Sequence, residues 1–446
     1  MHSKGAKKSL KLGDSTNDKQ RKYAEDSPGA HNPNYYVLAQ NKNGDWLKSK
    51  IIECRLKRGL EKFEGKKSQK KNLKLNEHSY EYYIHYCHTN RRLDEWITSD
   101  RIKLTSEYID EEKKRAMMKK KGIVNSSDEE YEGLDQNARK EHEEATKVKT
   151  IMKIKFGVYT SETWYYSPFP DGYHNIDTLY FCEFCLSFYT NEEELKAHLK
   201  KCKLVHPPGN QIYHDPERNL AMFEVDGFKN TTYCENLCYL AKLFLDHKLL
   251  YYTITPFLFY ILTKRDETGY HIVGYFSKNK DFSDGFNLSC ILTLPFHQRK
   301  GYGKLLINMS YELSKIEKRV GTPERPLSDL GRLSYLSYWT QKIIEYMLSM
   351  EGEKFNLQDV VDATAIRLQD VIDSLERVNL IKKHKGDIFI CTNKQILVSI
   401  SAKMGRKAIP VIRENLHWHP FKFKYEADER SERKFKRRTQ FVSSVY

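Results

Sequence analysis

The sequence lacks any run of 18 consecutive apolar residues, so a transmembrane helix is not expected. The N-terminal stretch MHSKGAKKSLKLGDSTNDKQ has no apolar core, which argues against a secretory leader. Internal repeats are missing as well. Hydrophobic residues make up only 39% of the chain and charged residues 30%. That is too polar for one compact globule, so linkers or tails are expected. The nine cysteines are odd in number and scattered. A disulfide framework is therefore not expected, and a reducing compartment is, with clustered cysteines serving metal binding or catalysis. Neither GxxxxGK[ST] nor GxGxxG occurs, which removes a P-loop and a dinucleotide-binding fingerprint.

Positive charge is plentiful. The 446 residues carry 75 Lys and Arg against 60 Asp and Glu, a formal net charge of +15. The length allows two or three domains with a sizeable core. The basic excess favours polyanions such as DNA, RNA or an acidic partner surface; a merely solvated basic surface is the alternative.

Composition divides the chain. Residues 1–33, rich in Lys, Ser, Asp, Asn and Gly, read as a disordered basic N-terminus. Residues 34–104 hold short β-branched and aromatic runs, YYVLAQ, DWLKSKIIECRL and YEYYIHYC, which predict a small all-β barrel or sheet. Residues 105–147 are a charged linker, a second domain runs over 148–420, and 421–446 is a basic tail. The RSERKFKRRTQ segment of that tail suits nuclear import or nucleic acid. Within the second domain, ENLCYLAKLFLDHKLL and the residues Leu305, Leu306, Met309 and Leu313 show helical spacing. YYTITPFLFYILTK, HIVGYFSK and FNLSCILTLP predict strands, the last a nearly continuous apolar one in a sheet covered on both faces. The segment from LQDVVDATAIRL to FICT reads helix, turn, helix and a hairpin turning at Gly386, a winged-helix-like arrangement over 346–420.

Two motifs carry chemistry. Cys182, Cys185, His198 and Cys202 form Cys-x2-Cys-x12-His-x3-Cys within 180–204. A hairpin knuckle brings the first two together, and one helical turn puts the last two on one face, which suits a structural zinc ion. All four positions are filled, so the site is closed rather than catalytic. Phe188 and Leu195 lie between as a miniature core. The second motif is the turn Gln298, Arg299, Lys300, Gly301, Tyr302, Gly303 and Lys304, set between a strand-like and a helix-like segment. Backbone N–H groups at a helix start, with nearby cations, suit a pyrophosphate.

LSCILTLPFHQRKGYGKLL followed by GTPERPLSDLG resembles the acetyl-CoA-binding core of the MYST family of histone acetyltransferases. HPPGNQIY, LCYLAKLFLDHKLLYY, PFLFY and the Cys-Cys-His-Cys finger match the same family, and the resemblance covers about 150–420. YYIHYCHTNRRLDEWI resembles the chromo barrel of the Tip-sixty and Esa-one branch. The fold implied is α/β (α+β): a chromo barrel, then a GNAT-like acyltransferase core over 205–345 flanked by the zinc finger and the winged-helix-like segment.

The resemblance also implies a chemistry: transfer of acetyl from acetyl-CoA to histone lysines, in the nucleus, within a multiprotein complex. Ile291, Leu292 and Thr293 would pair with the pantetheine, residues 298–304 would hold the pyrophosphate, and Ser328 and Ser337 would complete the cofactor site. Glu324 falls where the family places its general base. Cys290 lines the site, with direct attack by the substrate lysine preferred to an acetyl-cysteine intermediate. Lys242 matches the lysine that members acetylate on themselves; an ordinary exposed helix lysine is the alternative. Tyr83, Tyr86, Trp96 and Trp46 are candidates for a methyl-lysine cage, although core packing explains these aromatics equally well and Thr89 stands where some relatives have a tyrosine. Lys48, Lys50, Arg91 and Arg92 suggest nucleic-acid contact instead. A locally acidic groove, with Glu324 and Asp329 as candidates, would receive the histone tail. The rival classes are a non-catalytic chromatin-binding module and a nucleic-acid-binding zinc protein, and the second leaves the glycine turn unexplained.

Overall fold

A computed structural model describes residues 31, 33, 35–57, 76–106, 109–110, 147–173, 175–246, 254–281, 284–350, 354–384, 387–405 and 408–421. The expected disordered N-terminus, the charged linker, the basic tail and Gly386 thus lie wholly or almost wholly outside the described residues. The chain divides into two compact units, one built from residues up to 181 with 188–197 and 238–246, the other from 182–187, 198–237 and 247 onward.

The first unit contains the expected β-rich domain. Its five strands are β1 (Tyr36–Gln40), β2 (Trp46–Leu56), β3 (Tyr80–Tyr86), β4 (Glu95–Thr98) and β5 (Ile102–Lys103). They form one antiparallel sheet in the order β4-β3-β2-β1-β5. Alternation along each strand buries Val37, Ala39, Ile51, Tyr82, Ile84 and Ile97 as a common core. A second sheet has the order β7-β6-β8-β9, from β6 (Ile151–Phe156), β7 (Tyr159–Glu162), β8 (Ile176–Phe181) and β9 (Phe188–Tyr189). Phe169 joins Phe181, Phe188 and Tyr239 there in an aromatic cluster with centroids 4.9–6.2 Å from its own ring.

The second unit holds an antiparallel sheet in the order β10-β11-β12-β13-β15. Its strands are β10 (Asn210–Asp215), β11 (Leu220–Asp226), β12 (Phe257–Arg265), β13 (Tyr270–Asn279) and β15 (Ile291–Thr293). Helix α3 (Tyr302–Ile316) lays Leu305, Leu306, Met309 and Leu313 against this sheet, the stripe its sequence spacing predicts. It buries a second face as well: Ile307 and Tyr311 pack with Tyr338, Trp339 and Ile343 of α4 (Asp329–Ser349). Gly274 lets β15 approach closely under α3. A Cβ there would stand 2.5 Å from the Leu292 carbonyl oxygen and 3.2 Å from Leu306 Cδ1. Behind the sheet edge, the buried Lys278 ammonium donates to both Glu317 carboxylate oxygens at 2.6 and 2.7 Å, tying β13 to the end of α3.

One predicted strand is really two. FNLSCILTLP divides into β14 (Phe286–Leu288) and β15, which belong to different sheets. Ser277 causes the break. Its carbonyl accepts from Ser289 N–H, its N–H donates to the Cys290 carbonyl, and its hydroxyl accepts from Cys290 N–H. With 289 and 290 both held by one residue, β14 diverges and pairs in parallel with β16 (Thr322–Pro323). A shorter correction concerns ENLCYLAKLFLDHKLL. Helix α2 (Thr231–Lys242) starts before it and stops at Lys242, and residues 247–253 lie outside the described set.

The last part follows its predicted order. α5 (Leu357–Thr364), α6 (Leu368–Arg377), β17 (Ile381–His384), β18 (Asp387–Ile390) and α7 (Lys394–Lys403) succeed one another. α5 opens with a capping box, in which the Asn356 side chain accepts from Gln358 and Asp359 N–H. Val360, Val361, Val371, Leu375 and Leu397 share a core with α4.

Candidate active site and metal centre

β15 is the edge strand of its sheet among the described residues. Antiparallel pairing alternates which residues bond inward. Cys290 and Leu294 bond to β13, so Leu292 turns inward with them, leaving the N–H and C=O groups of Ile291 and Thr293 on the outer edge. Of the three residues expected to pair with an extended ligand, Ile291 therefore offers both backbone groups and Thr293 its N–H, the Thr293 carbonyl accepting from the Gln298 amide, while Leu292 spends its own in the sheet.

A short 3-10 turn, Pro295–His297, carries the chain from β15 to the glycine turn. Gly301 caps α3 at φ 97, a left-handed conformation that suits glycine, and Arg299 is left-handed too at φ 62. The long side chains fold back: Gln298 donates its amide to the Thr293 carbonyl at 3.0 Å and Lys300 its ammonium to the Phe296 carbonyl at 3.1 Å. The helix end thus presents mainly the backbone of Gly301, Tyr302, Gly303 and Lys304, where N–H groups and the helix dipole favour an anion. Burial holds the Lys304 ammonium below its ordinary pKa. His297, buried beside the turn, is held in its neutral form. Burial, then Lys300, push its pKa down to about 4, so it is neutral at physiological pH and packs edge-on to Phe296 at 4.9 Å.

The parallel pair links the backbone segments that carry Cys290 and Glu324. Leu288 aligns with Pro323 in the β14–β16 register, and the Glu324 N–H donates to the Leu288 carbonyl at 2.8 Å. Cys290 lies two residues beyond that carbonyl, on the strand that leads to the glycine turn. Both residues are half-buried, so each is partly open to solvent. Gly321 permits the approach, since a Cβ there would lie 2.7 Å from the Asn287 Cβ. Ser328 is the N-cap of α4, its hydroxyl accepting from Gly331 N–H at 3.1 Å. Ser337 is half-buried on the same helix, and Asp329 is exposed in its first turn. Sequence reasoning missed Ser277, which fixes both ends of the Cys290 peptide; only its place opposite the strand break marks it.

The four predicted metal ligands are gathered. One atom from each of Cys182, Cys185, His198 and Cys202 lies within 4.8 Å of the others. Cys182 Sγ and Cys202 Sγ are 3.9 Å apart, and Cys185 Sγ is 3.2 Å from His198 Nε2. Zinc–thiolate bonds of about 2.3 Å in a tetrahedron separate sulfurs by roughly 3.8 Å, so this donor set fits a structural zinc ion. Local structure explains the gathering. Cys182 receives the Leu186 N–H on its carbonyl and donates its own N–H to Ser187, closing the knuckle. His198 lies in α1 (Glu192–Leu199), and Cys202 N–H donates to its carbonyl at 2.9 Å.

The barrel's aromatics do not form an open cage. Tyr83 and Tyr86 are buried, and the Tyr86 hydroxyl donates to Glu95 at 3.0 Å. The Arg55 guanidinium lies 3.9 Å from the Trp96 ring centroid while paired with Glu81. The Lys103 ammonium lies 3.8 Å from the Trp46 centroid. A cation of the chain itself thus lies over one face of each tryptophan, and Tyr83 and Tyr86 are packed inside. Of the basic candidates, Arg92 and Lys48 are exposed and Lys50 is half-buried, while Arg91 pairs with the buried Asp94. Lys242 departs from the alternative of an exposed lysine: it is 7% exposed at the end of α2 and donates to the Asp246 carbonyl at 2.6 Å. It lines a small cleft with Tyr83, Arg91, Trp164 and Tyr165.

Comparison with known proteins agrees with this geometry. Residues 206–416 match the MOZ/SAS family, 148–202 the MYST family zinc finger domain, and 31–104 a domain described as "RNA binding activity-knot of a chromodomain". The chain is 46% identical over 395 residues to "Histone acetyltransferase of the MYST family 1" of Arabidopsis thaliana, covering 86% of this chain and 85% of that protein. It is 40% identical to "Histone acetyltransferase Tip60 homolog" of Caenorhabditis elegans, covering 77% and 84%. It is 39% identical to "Histone acetyltransferase ESA1" of Saccharomyces cerevisiae, covering 76% and 86%.

Proposed function

Because this chain belongs to the MYST family of histone acetyltransferases, we propose how its residues carry out the family's reaction, the transfer of acetyl from acetyl-CoA to the ε-amine of histone lysines in chromatin. The acyltransferase domain spans 148–420. The pyrophosphate of the donor rests on the backbone at 298–304, with Ser328 and Ser337 completing its surroundings from α4. The pantetheine lies along the outer edge of β15, on the backbone of Ile291 and Thr293 and beside Leu292. The substrate ammonium has a solution pKa of about 10.4, so a base must take its proton before attack. Glu324 is that base. The freed amine nitrogen attacks the thioester carbonyl carbon, the C–S bond breaks, and coenzyme A leaves as thiolate and is protonated. Cys290 lines the reacting centre.

The observation that carries this assignment is the Glu324 N–H bond to Leu288, which holds the carboxylate's backbone at the end of the strand pair that continues through Cys290 into the cofactor edge. The test is incubation of the full chain with acetyl-CoA and recombinant nucleosomes, with acetylation mapped by mass spectrometry. Transfer to histone tails is expected, together with acetylation of Lys242. Absence of transfer to any histone lysine would overturn the catalytic reading, and an unmodified Lys242 in active enzyme would remove the self-acetylation.

The finer partners are part of the same proposal. The enzyme works in the nucleus as the catalytic subunit of a larger complex. With a cation of the chain already over one face of each of these tryptophans, nucleic acid is the barrel's better ligand, reached through Lys48, Lys50 and Arg92. Such contacts release counterions, so affinity for RNA or nucleosomal DNA should fall at least about tenfold between 50 and 200 mM salt. Affinity that stays flat across that range in a filter-binding titration would overturn it.

A further inference from the structure

We propose that Asp370 is a positioning residue for the catalytic carboxylate, holding the Glu324 loop in register from the winged-helix-like segment; the inference rests on Glu324 being the base. Asp370 stands in the first turn of α6, and its side chain is 2% exposed. One carboxylate oxygen accepts from the Thr322 hydroxyl at 2.7 Å and the other from the Arg325 guanidinium at 2.7 Å. Thr322 lies two residues before Glu324 and Arg325 one after it. A single buried carboxylate therefore grips the loop on both sides of the base.

The backbone repeats the attachment. Gly321 N–H donates to the Ala365 carbonyl at 2.9 Å, and Arg367 N–H donates to the Gly321 carbonyl at 3.3 Å. Both bonds go to the α5–α6 turn, just ahead of Asp370. With the Glu324 N–H bond to Leu288, the loop is held from β14 on one side and from α5–α6 on the other. Burying a carboxylate is costly unless it is paired, and burial raises the Asp370 pKa while Thr322 and Arg325 draw it back. Ordinary core packing at this position would be served by an apolar residue. What the carboxylate adds is a fixed two-point geometry, and a catalytic group displaced by about 1 Å can lose on the order of a hundredfold in rate.

A double-mutant cycle tests this. Asp370→Asn in the full chain should lower kcat for histone peptide roughly ten- to hundredfold and leave KM for acetyl-CoA nearly unchanged. Added to Glu324→Gln it should cost almost nothing more, because a displaced base that is already absent cannot be lost twice. Thr322→Val and Arg325→Met, which each remove one of the two bonds, should show smaller falls of the same kind and keep the test open if Asp370→Asn folds poorly. Equal losses in both backgrounds, or a rise in KM matching the fall in kcat, would overturn the positioning role while leaving Glu324 as base. Full activity of Glu324→Gln would overturn the base itself.

Discussion

Glu324→Gln should cut kcat for histone acetylation by about 10²- to 10⁴-fold, the usual contribution of a positioned general base, with little change in acetyl-CoA affinity. Glutamine keeps the shape and the backbone bond to Leu288 and removes only the proton acceptor. What remains is reaction of the small neutral fraction of substrate amine. That fraction is about one part in a thousand near pH 7.4, given a lysine pKa of about 10.4. It grows tenfold per pH unit, so the variant's rate should climb steeply with pH and approach the parent at high pH. A variant equal to the parent at neutral pH would show that the base lies elsewhere. Cys290→Ala is the partner experiment. Direct attack predicts turnover within a few-fold of the parent, since the Cys290 backbone is held on Ser277 and the proposed role of its side chain is only to line the site. Complete loss of turnover with fold and acetyl-CoA affinity intact would require an acetyl-cysteine route.

The parts of this site that the sequence discloses are those made by neighbours in the chain. The glycine turn can be read because 298–304 is one continuous cap, and the finger because a knuckle and one helical turn fix ligand spacing locally. The break in FNLSCILTLP is invisible in that segment, since Ser277, thirteen residues from Cys290, imposes it. Asp370 is hidden for the same reason, bonding to residues 45 and 48 positions away. The methyl-lysine cage misleads in the other direction. Clustered aromatics suggest an open pocket, but Arg55 and Lys103 come from strands whose register no local pattern gives, and each lies over one face of a tryptophan ring. Lys242 ends an amphipathic helix, yet its chain carries on to Asp246, whose carbonyl captures the ammonium. In each case the pairing of a polar group, long-range for Ser277 and Asp370 and four residues on for Lys242, fixes where the side chain goes, and hydrophobic periodicity carries no record of it.

Removing the metal should have the largest effect on stability. Structural zinc contributes an apparent binding free energy on the order of 10–16 kcal/mol at neutral pH, comparable to or above the roughly 5–15 kcal/mol that holds a whole domain folded. The finger has little else to rely on: α1 spans 8 residues and β9 only 2, lengths that are not stable alone in water. Treating the full chain with a strong chelator, or making Cys185→Ser, should therefore release one equivalent of zinc and let trypsin cut after Lys196, Lys200 and Lys201, whose side chains are exposed already but whose backbone the folded finger holds. An apparent melting temperature lower by about 10 °C or more is also expected, as the metal's free energy is withdrawn. Because four protein ligands leave no open position on the ion, acetyl transfer should decline in step with this unfolding and never ahead of it. A chelated chain with unchanged melting and an unchanged tryptic pattern would show that the four side chains hold their places without metal. Activity lost while the fold persists would place the ion in the chemistry rather than in the scaffold.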